Sequence, residues 1–250
     1  MRSPAKNSFH LAGRYSVVAG GMFAALLTTN SNFALADGNT DPHSCSNVQN
    51  NVEVWSNDAH EIAVSCEGVE TAISFLQQCG VDYDGSLAIH FERDMRDECG
   101  VDTYGIYEIS EKVIRINSYP TCRSVFTKSK LTGRIPFDEF FESIVVHEVT
   151  HAVVDAIGAE SAKKPLTQEY IAYAVQYSMF EPADVSALTD DLLIKDHVAL
   201  SDFSMSIYAL SAEKFAAMVS SHFNGPDGGC KTIRDLVSGD RQMRESVHQE

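Results

Sequence analysis

One stretch limits the fold more than any other. Between Pro136 and Gly158 the chain reads FDEFFESIVVHEVTHAVVDAI. That is too long for an ordinary strand, and a Pro start with a Gly stop signals a helix. Asp138, Glu139 and Glu142 fall in its first turns, where acids suit the helix dipole. Most sides of this helix are apolar, so it is expected at the centre of the molecule. Yet His147, Glu148 and His151 sit in its middle. Burying an unpaired carboxylate and two imidazoles there costs on the order of several kcal/mol. The spacing itself offers a remedy. Residues four apart leave one face of a helix, about 6 Å apart along its axis. Two such imidazoles can share one cation at about 2.0–2.1 Å from each nitrogen. Glu148 stands beside them, placed to take a proton from water rather than to bind the ion. Two histidines and one carboxylate leave a fourth position open for water.

The 250-residue chain is 44% hydrophobic and 22% charged, which are globular proportions. Its formal net charge of −16 repels phosphate backbones, so nucleic-acid binding is not expected. Attraction to anionic lipid is disfavoured for the same reason. The first 36 residues carry Arg2, Lys6 and Arg14, then an apolar stretch from Tyr15 to Leu27, then Ala34-Leu35-Ala36. This is the pattern of a secretory signal, with cleavage expected before Asp37. The apolar stretch is shorter than the roughly 20 residues a spanning helix needs. The expected product is a periplasmic or secreted protein with no membrane segment. Six cysteines, Cys45, Cys66, Cys79, Cys99, Cys122 and Cys230, all follow the signal, and three disulfides are expected in an oxidising compartment. Four of them between 45 and 99 suggest local stapling, with Cys122 to Cys230 as the tie to the C-terminal end.

Residues 37–55 read as a polar leader, and 239–250 as a polar tail. The domain between them, 56–238, is mixed. Asp58 to Cys79 repeats apolar residues at helical steps and stops at Gly80. Ser86 to Glu92 alternates as a strand, and Gly105 to Asn117 reads as a hairpin or two short strands. After the central helix, Thr167 is a candidate cap for a helix from Gln168 to Phe180, stopped by Pro182. Further helices are expected near Ser211 to Phe223 and Lys231 to Val237.

HEVTHAVVDAIG resembles the active-site helix of the thermolysin-like zinc metallopeptidases, within the gluzincin group of zincins. The likeness runs from about Val145 to Tyr177. It implies one Zn2+ per chain, with His147, His151 and a Glu from the next helix as ligands. Glu160 and Glu169 are the candidates. Glu169, 18 residues beyond His151, matches the family spacing, whereas Glu160 lies too near the end of the central helix. The family carries an Asp four residues after that glutamate, where this chain has Tyr173, so a partner for His147 must come from elsewhere. Gln168 occupies the place of an amide that can orient His151. The segments EYIAYAVQYSMF and YALSAEKFAAMVSSHF are also similar to a small family of exported bacterial proteins of unassigned function that carries an H-E-x-x-H helix.

The resemblance implies an α+β, zincin-like fold: a small N-terminal sheet, an active-site helix and a helical C-terminal part, braced by disulfides. It implies an exported peptidase that hydrolyses peptide or protein substrates through a zinc-activated water, with Glu148 as general base. An oxyanion donor is expected downstream, with Tyr208 ranked before His197 and His222. Tyr173 and Tyr177 are expected to pack, and Asp155 is either a partner of the metal site or a solvated acid. The competing readings are a metal-stabilised binding or assembly protein without turnover and, more weakly, a disulfide-rich structural protein without metal.

Overall fold

A computed structural model describes residues 14–18, 41–46, 51–93, 95, 103–194 and 197–244. One mixed sheet is built from β1 (Arg14–Val18), β2 (His43–Ser44), β3 (Asn51–Trp55), β4 (Ser86–Glu92), β5 (Thr103–Glu108) and β6 (Val113–Asn117). Its order is β1-β5-β6-β4-β3-β2, so five strands come from residues 43–117 and the sixth from the far N-terminal segment. β3, β4 and β6 are parallel, while β5 is antiparallel to both β6 and β1. Period-two alternation gives the sheet one apolar face, where Val52, Val54, Leu87, Ile89, Ile114 and Ile116 are all buried. The opposite face is polar. There Trp55 stacks on His90 with ring centroids 5.2 Å apart, and the Arg115 guanidinium donates to Glu92 at 2.9 Å and Glu111 at 2.7 Å.

Eight helices complete the described fold: α1 (Ala59–Gln78), α2 (Tyr119–Phe126), α3 (Phe137–Ile157), α4 (Pro165–Ser178), α5 (Pro182–Asp191), α6 (Met205–Leu210), α7 (Ala212–Phe223) and α8 (Cys230–Ser238). Asp58 caps α1 by accepting from the His60 amide at 2.8 Å. α3 is the expected central helix. It lies on β5 and β6, with α1 and α4 packed against it and α7 behind α4. At Gly68 of α1 an added Cβ would sit 2.8 Å from the Val145 Cβ, so only glycine permits this approach of α1 to α3. The first turns of α3 are anchored by rings: Phe140 meets Phe126 at 4.6 Å and Phe137 meets Tyr119 at 4.9 Å.

Several expectations need correction. The stretch 37–55 is not wholly leader: β2 and β3 lie in it, because Val52 and Val54 alternate inward and are buried. The tail likewise contributes Met243 to the core, and its last residues, from 245, lie outside the described ones. The helix expected from Gln168 begins at Pro165, with Lys164 rather than Thr167 at its N-cap. Pro182 does follow α4, but it also opens α5, since proline suits the first helical turn. Two disulfides are present among the described residues, Cys45–Cys66 and Cys79–Cys230. The expected Cys122–Cys230 tie is therefore wrong: α1, not α2, is linked to the C-terminal helix, and Cys122 is a buried free thiol held high by desolvation. Cys99 lies outside the described residues, as does the expected signal apart from Arg14–Val18. No helix of the described residues is long and apolar enough to cross a membrane.

Candidate metal centre

Three buried donors converge. The Nε2 atoms of His147 and His151 are 3.0 Å apart, and the Glu169 carboxylate lies 3.6 Å from the first and 3.7 Å from the second. His147 and His151 are one α3 turn apart, and Glu169 comes from α4, which packs antiparallel beside α3 after a short loop. Ligands about 2.0–2.1 Å from a tetrahedral ion lie about 3.3 Å from one another. The three separations bracket that value, and the group has the geometry to hold a metal ion.

Hydrogen bonding aims the imidazoles. The Phe140 carbonyl can only accept, so Ser143 Oγ donates to it at 2.7 Å. Gln176 Nε2 then donates to Ser143 at 2.9 Å, which leaves Gln176 Oε1 to accept from His147 Nδ1 at 2.9 Å. Gln168 Oε1 meets His151 Nδ1 at 3.0 Å in the same way. With both Nδ1 atoms protonated, both Nε2 lone pairs face the space between the rings. Two lone pairs at that distance, with a carboxylate oxygen, Glu169 Oε2, that has no hydrogen-bond partner among the described residues, repel one another unless a cation lies between them. The donor set therefore fits Zn2+ by chemistry as well as by distance.

Burial acts on these groups in opposite directions, toward the metal-binding form of the histidines and against that of the carboxylate. Desolvation pulls His147 down to about 3 and His151 to about 4, so both are neutral ligands at pH 7. Desolvation raises Glu169 to about 7, against the opposing pull of His151 and of a hydrogen bond from Tyr208. Glu148 is fully buried on the side of α3 that meets β5. A Cβ at Gly105 would sit 2.9 Å from Glu148 Cγ and 3.0 Å from its Oε1, so the bare backbone of Gly105 makes room for this carboxylate.

The sequence-predicted residues divide clearly. His147, His151 and Glu169 come together, with Gln168 at the expected place. Tyr208 reaches the same centre, its hydroxyl bonded to Glu169 and kept protonated by burial and then by the Glu169 charge. Tyr173 packs edge-on against His147, ring centroids 4.6 Å apart, and Tyr177 packs on Phe180. His197 is exposed, 3.7 Å from Asp227, and His222 Nδ1 is 2.6 Å from the Tyr170 hydroxyl, so other partners engage both. Asp155 is a buried acceptor for Tyr107 at 2.9 Å, not a solvated acid. Glu160 is exposed and pairs with Lys163. Gln176 and Ser143 were not expected. The signal for Gln176 was present: it lies seven residues past Glu169, about two turns along the same helix face.

No curated protein and no solved structure matches the chain. A family model, described as a family of unknown function, DUF6639, matches residues 52–246, which takes in β4, β5, β6 and all but the first residue of β3, all eight helices and the whole donor set. The chain belongs to the DUF6639 family.

Proposed function

We propose that this is an exported zinc-dependent peptidase of zincin type. The observation that carries the reading is the His147–His151–Glu169 donor set with a buried carboxylate, Glu148, next to its first ligand. A structural cation has no use for that second acid. The arrangement around it also suits the reading: a mixed sheet whose antiparallel strand β5 borders Glu148, the H-E-x-x-H helix packed on that sheet, and the third ligand on the following helix. An expected export signal and two disulfides suit a periplasmic or secreted site of action.

In this reading His147, His151 and Glu169 hold zinc, and Gln176 and Gln168 fix the two rings. Zinc supplies a Lewis acid that polarises the scissile carbonyl and acidifies water. Glu148 takes the proton of the attacking water and returns it to the leaving amine. Tyr208, kept protonated, would have to turn its hydroxyl from Glu169 to donate to the developing oxyanion.

A metal-stabilised binding protein is the second reading, and one observation favours it: His147, His151 and Glu169 are 0–2% exposed, as in closed structural sites. A broad peptide library, digested with zinc-loaded protein and with Glu148→Gln, separates the two. The peptidase reading expects cleavage by the first alone, at equal zinc content. Zinc-loaded wild type that cleaves nothing supports the binding protein.

A further inference from the structure

The outer side of β5 is paired with the chain's own N-terminal segment. β1 lies antiparallel along it, with Arg14 opposite Glu108, Tyr15 opposite Tyr107, Ser16 opposite Ile106 and Val17 opposite Gly105, then a register shift before Val18 meets Thr103. Gly105 is the residue whose backbone lies against Glu148. Adjacent strands are about 4.8 Å apart, so the Val17 backbone runs one strand spacing from the backbone beside that carboxylate. β1 also lies against α3 and α4, which carry the three donors of the metal centre. β1 thus takes the line that an extended peptide would take past Glu148.

These residues also belong to the part of the chain expected to be removed. Arg14–Val18 precedes the expected cut between Ala36 and Asp37. Its departure leaves the outward N–H and C=O groups of β5 unpaired, an edge ready to accept another strand.

We propose that Arg14–Val18 is a self-blocking strand: it occupies the β5 edge and keeps the uncut chain latent, and hydrolysis of the Ala36–Asp37 bond by a signal peptidase opens that edge to extended polypeptide. What is blocked rests on the peptidase reading, but the strand pairing does not. The block is strong because it is intramolecular. A tethered segment acts at an effective concentration on the order of millimolar, an advantage it loses once cut. The device keeps the protein silent in the compartment where it is made.

The test uses the full chain with a specific protease site introduced at residues 33–36, studied before and after cutting, with hydrogen–deuterium exchange of Thr103–Glu108 as the first readout. Cutting is expected to raise exchange of the β5 amides that point away from β6 by about tenfold or more. Ser16→Pro and Val17→Pro, made singly in the uncut chain, supply a second arm. Alternate residues of a strand point their N–H groups to opposite sides, so one of the two prolines removes a bond to β5 while the domain is untouched. A synthetic peptide of residues 11–21 added to the cut protein is expected to restore protection only near millimolar concentration. Equal β5 exchange in the uncut, cut and proline forms overturns the proposal. Peptide-library hydrolysis is read in parallel. A rise in exchange with hydrolysis in neither form supports the strand and sinks the peptidase reading alone. Equal hydrolysis and equal exchange in both forms sink the strand alone.

Discussion

Gln176 Oε1 accepts the Nδ1 proton of His147 at 2.9 Å and is itself held by Ser143. A neutral amide thus does for this imidazole what a carboxylate does in the thermolysin-like enzymes that the helix resembles. The role can be measured apart from activity. Gln176→Ala should weaken zinc binding about 10–100-fold in chelator competition, and Gln176→Glu should restore it. Equal affinity in wild type and Gln176→Ala would remove the amide from the account.

The metal centre should also report its protonation. At pH 6 the two imidazoles, held near 3 and 4 by burial, are already neutral, while Glu169, raised to about 7, still carries its proton. From these three side chains zinc binding should therefore release about one proton at pH 6 and almost none at pH 8, counted by calorimetry in buffers of different ionisation enthalpy, with any proton released at pH 8 coming from the acidified water. Release of two or more at pH 6 would mean that the rings are charged before the ion arrives.

Without metal, the same shifts set the acid limit of the fold. Unfolded histidines, with an ordinary value of 6.5, bind protons that the folded pair refuses, so their contribution is lost as pH falls from about 6.5 toward 4. Glu169 acts the other way: its raised value favours the fold below about 4.5, and that contribution is lost as pH rises through about 7. Two groups outweigh one, so metal-free protein should lose stability steadily below pH 6 in denaturant titrations. Zinc-loaded protein should resist that loss until its ligands protonate.

Gly105→Ala tests the general base from the other side. The new methyl would meet Glu148 Cγ at 2.9 Å, its Oε1 at 3.0 Å and Ile144 Cγ2 at 3.1 Å, so the Glu148 side chain must shift. Folding and zinc content should change little, while hydrolysis falls by about 100-fold, in the range of a displaced catalytic base. Full activity in this variant would place the working position of Glu148 elsewhere.

The two disulfides should differ in weight. Cys79–Cys230 spans 151 residues and Cys45–Cys66 spans 21. On loop entropy the first contributes about 5 kcal/mol and the second about 3 kcal/mol. Replacing each pair by serines and comparing urea midpoints should show the larger loss for Cys79 and Cys230.

The difference between what the sequence disclosed and what it hid follows range. His147, Glu148 and His151 were legible because their chemistry lies within one helical turn, bounded by Pro136 and Gly158. Glu169 and Gln168 followed from a resemblance that spans one loop. Gln176 was overlooked because an amide on a helix face reads as surface until the facing helix is known. The sheet order was hidden because β4 sits between β3 and β6 only after long connections close, and a free pairing such as Cys79 with Cys230 leaves no local mark. α2 and α6, of eight and six residues, are too short to show a period. Arg14–Val18, read as the last basic residue and the apolar start of a signal, has a strand partner that only the fold reveals.

The central claim is that two imidazoles of α3 and one carboxylate of α4 bind a single ion. The X-ray absorption spectrum at the zinc edge, recorded on protein loaded with one equivalent, tests it most directly. The account predicts two imidazole nitrogens at about 2.0–2.1 Å, oxygen ligands at about 2.0–2.2 Å and no sulfur, with the imidazole signal lost in His147→Ala. A spectrum with sulfur at about 2.3 Å, or one unchanged by that substitution, would contradict it.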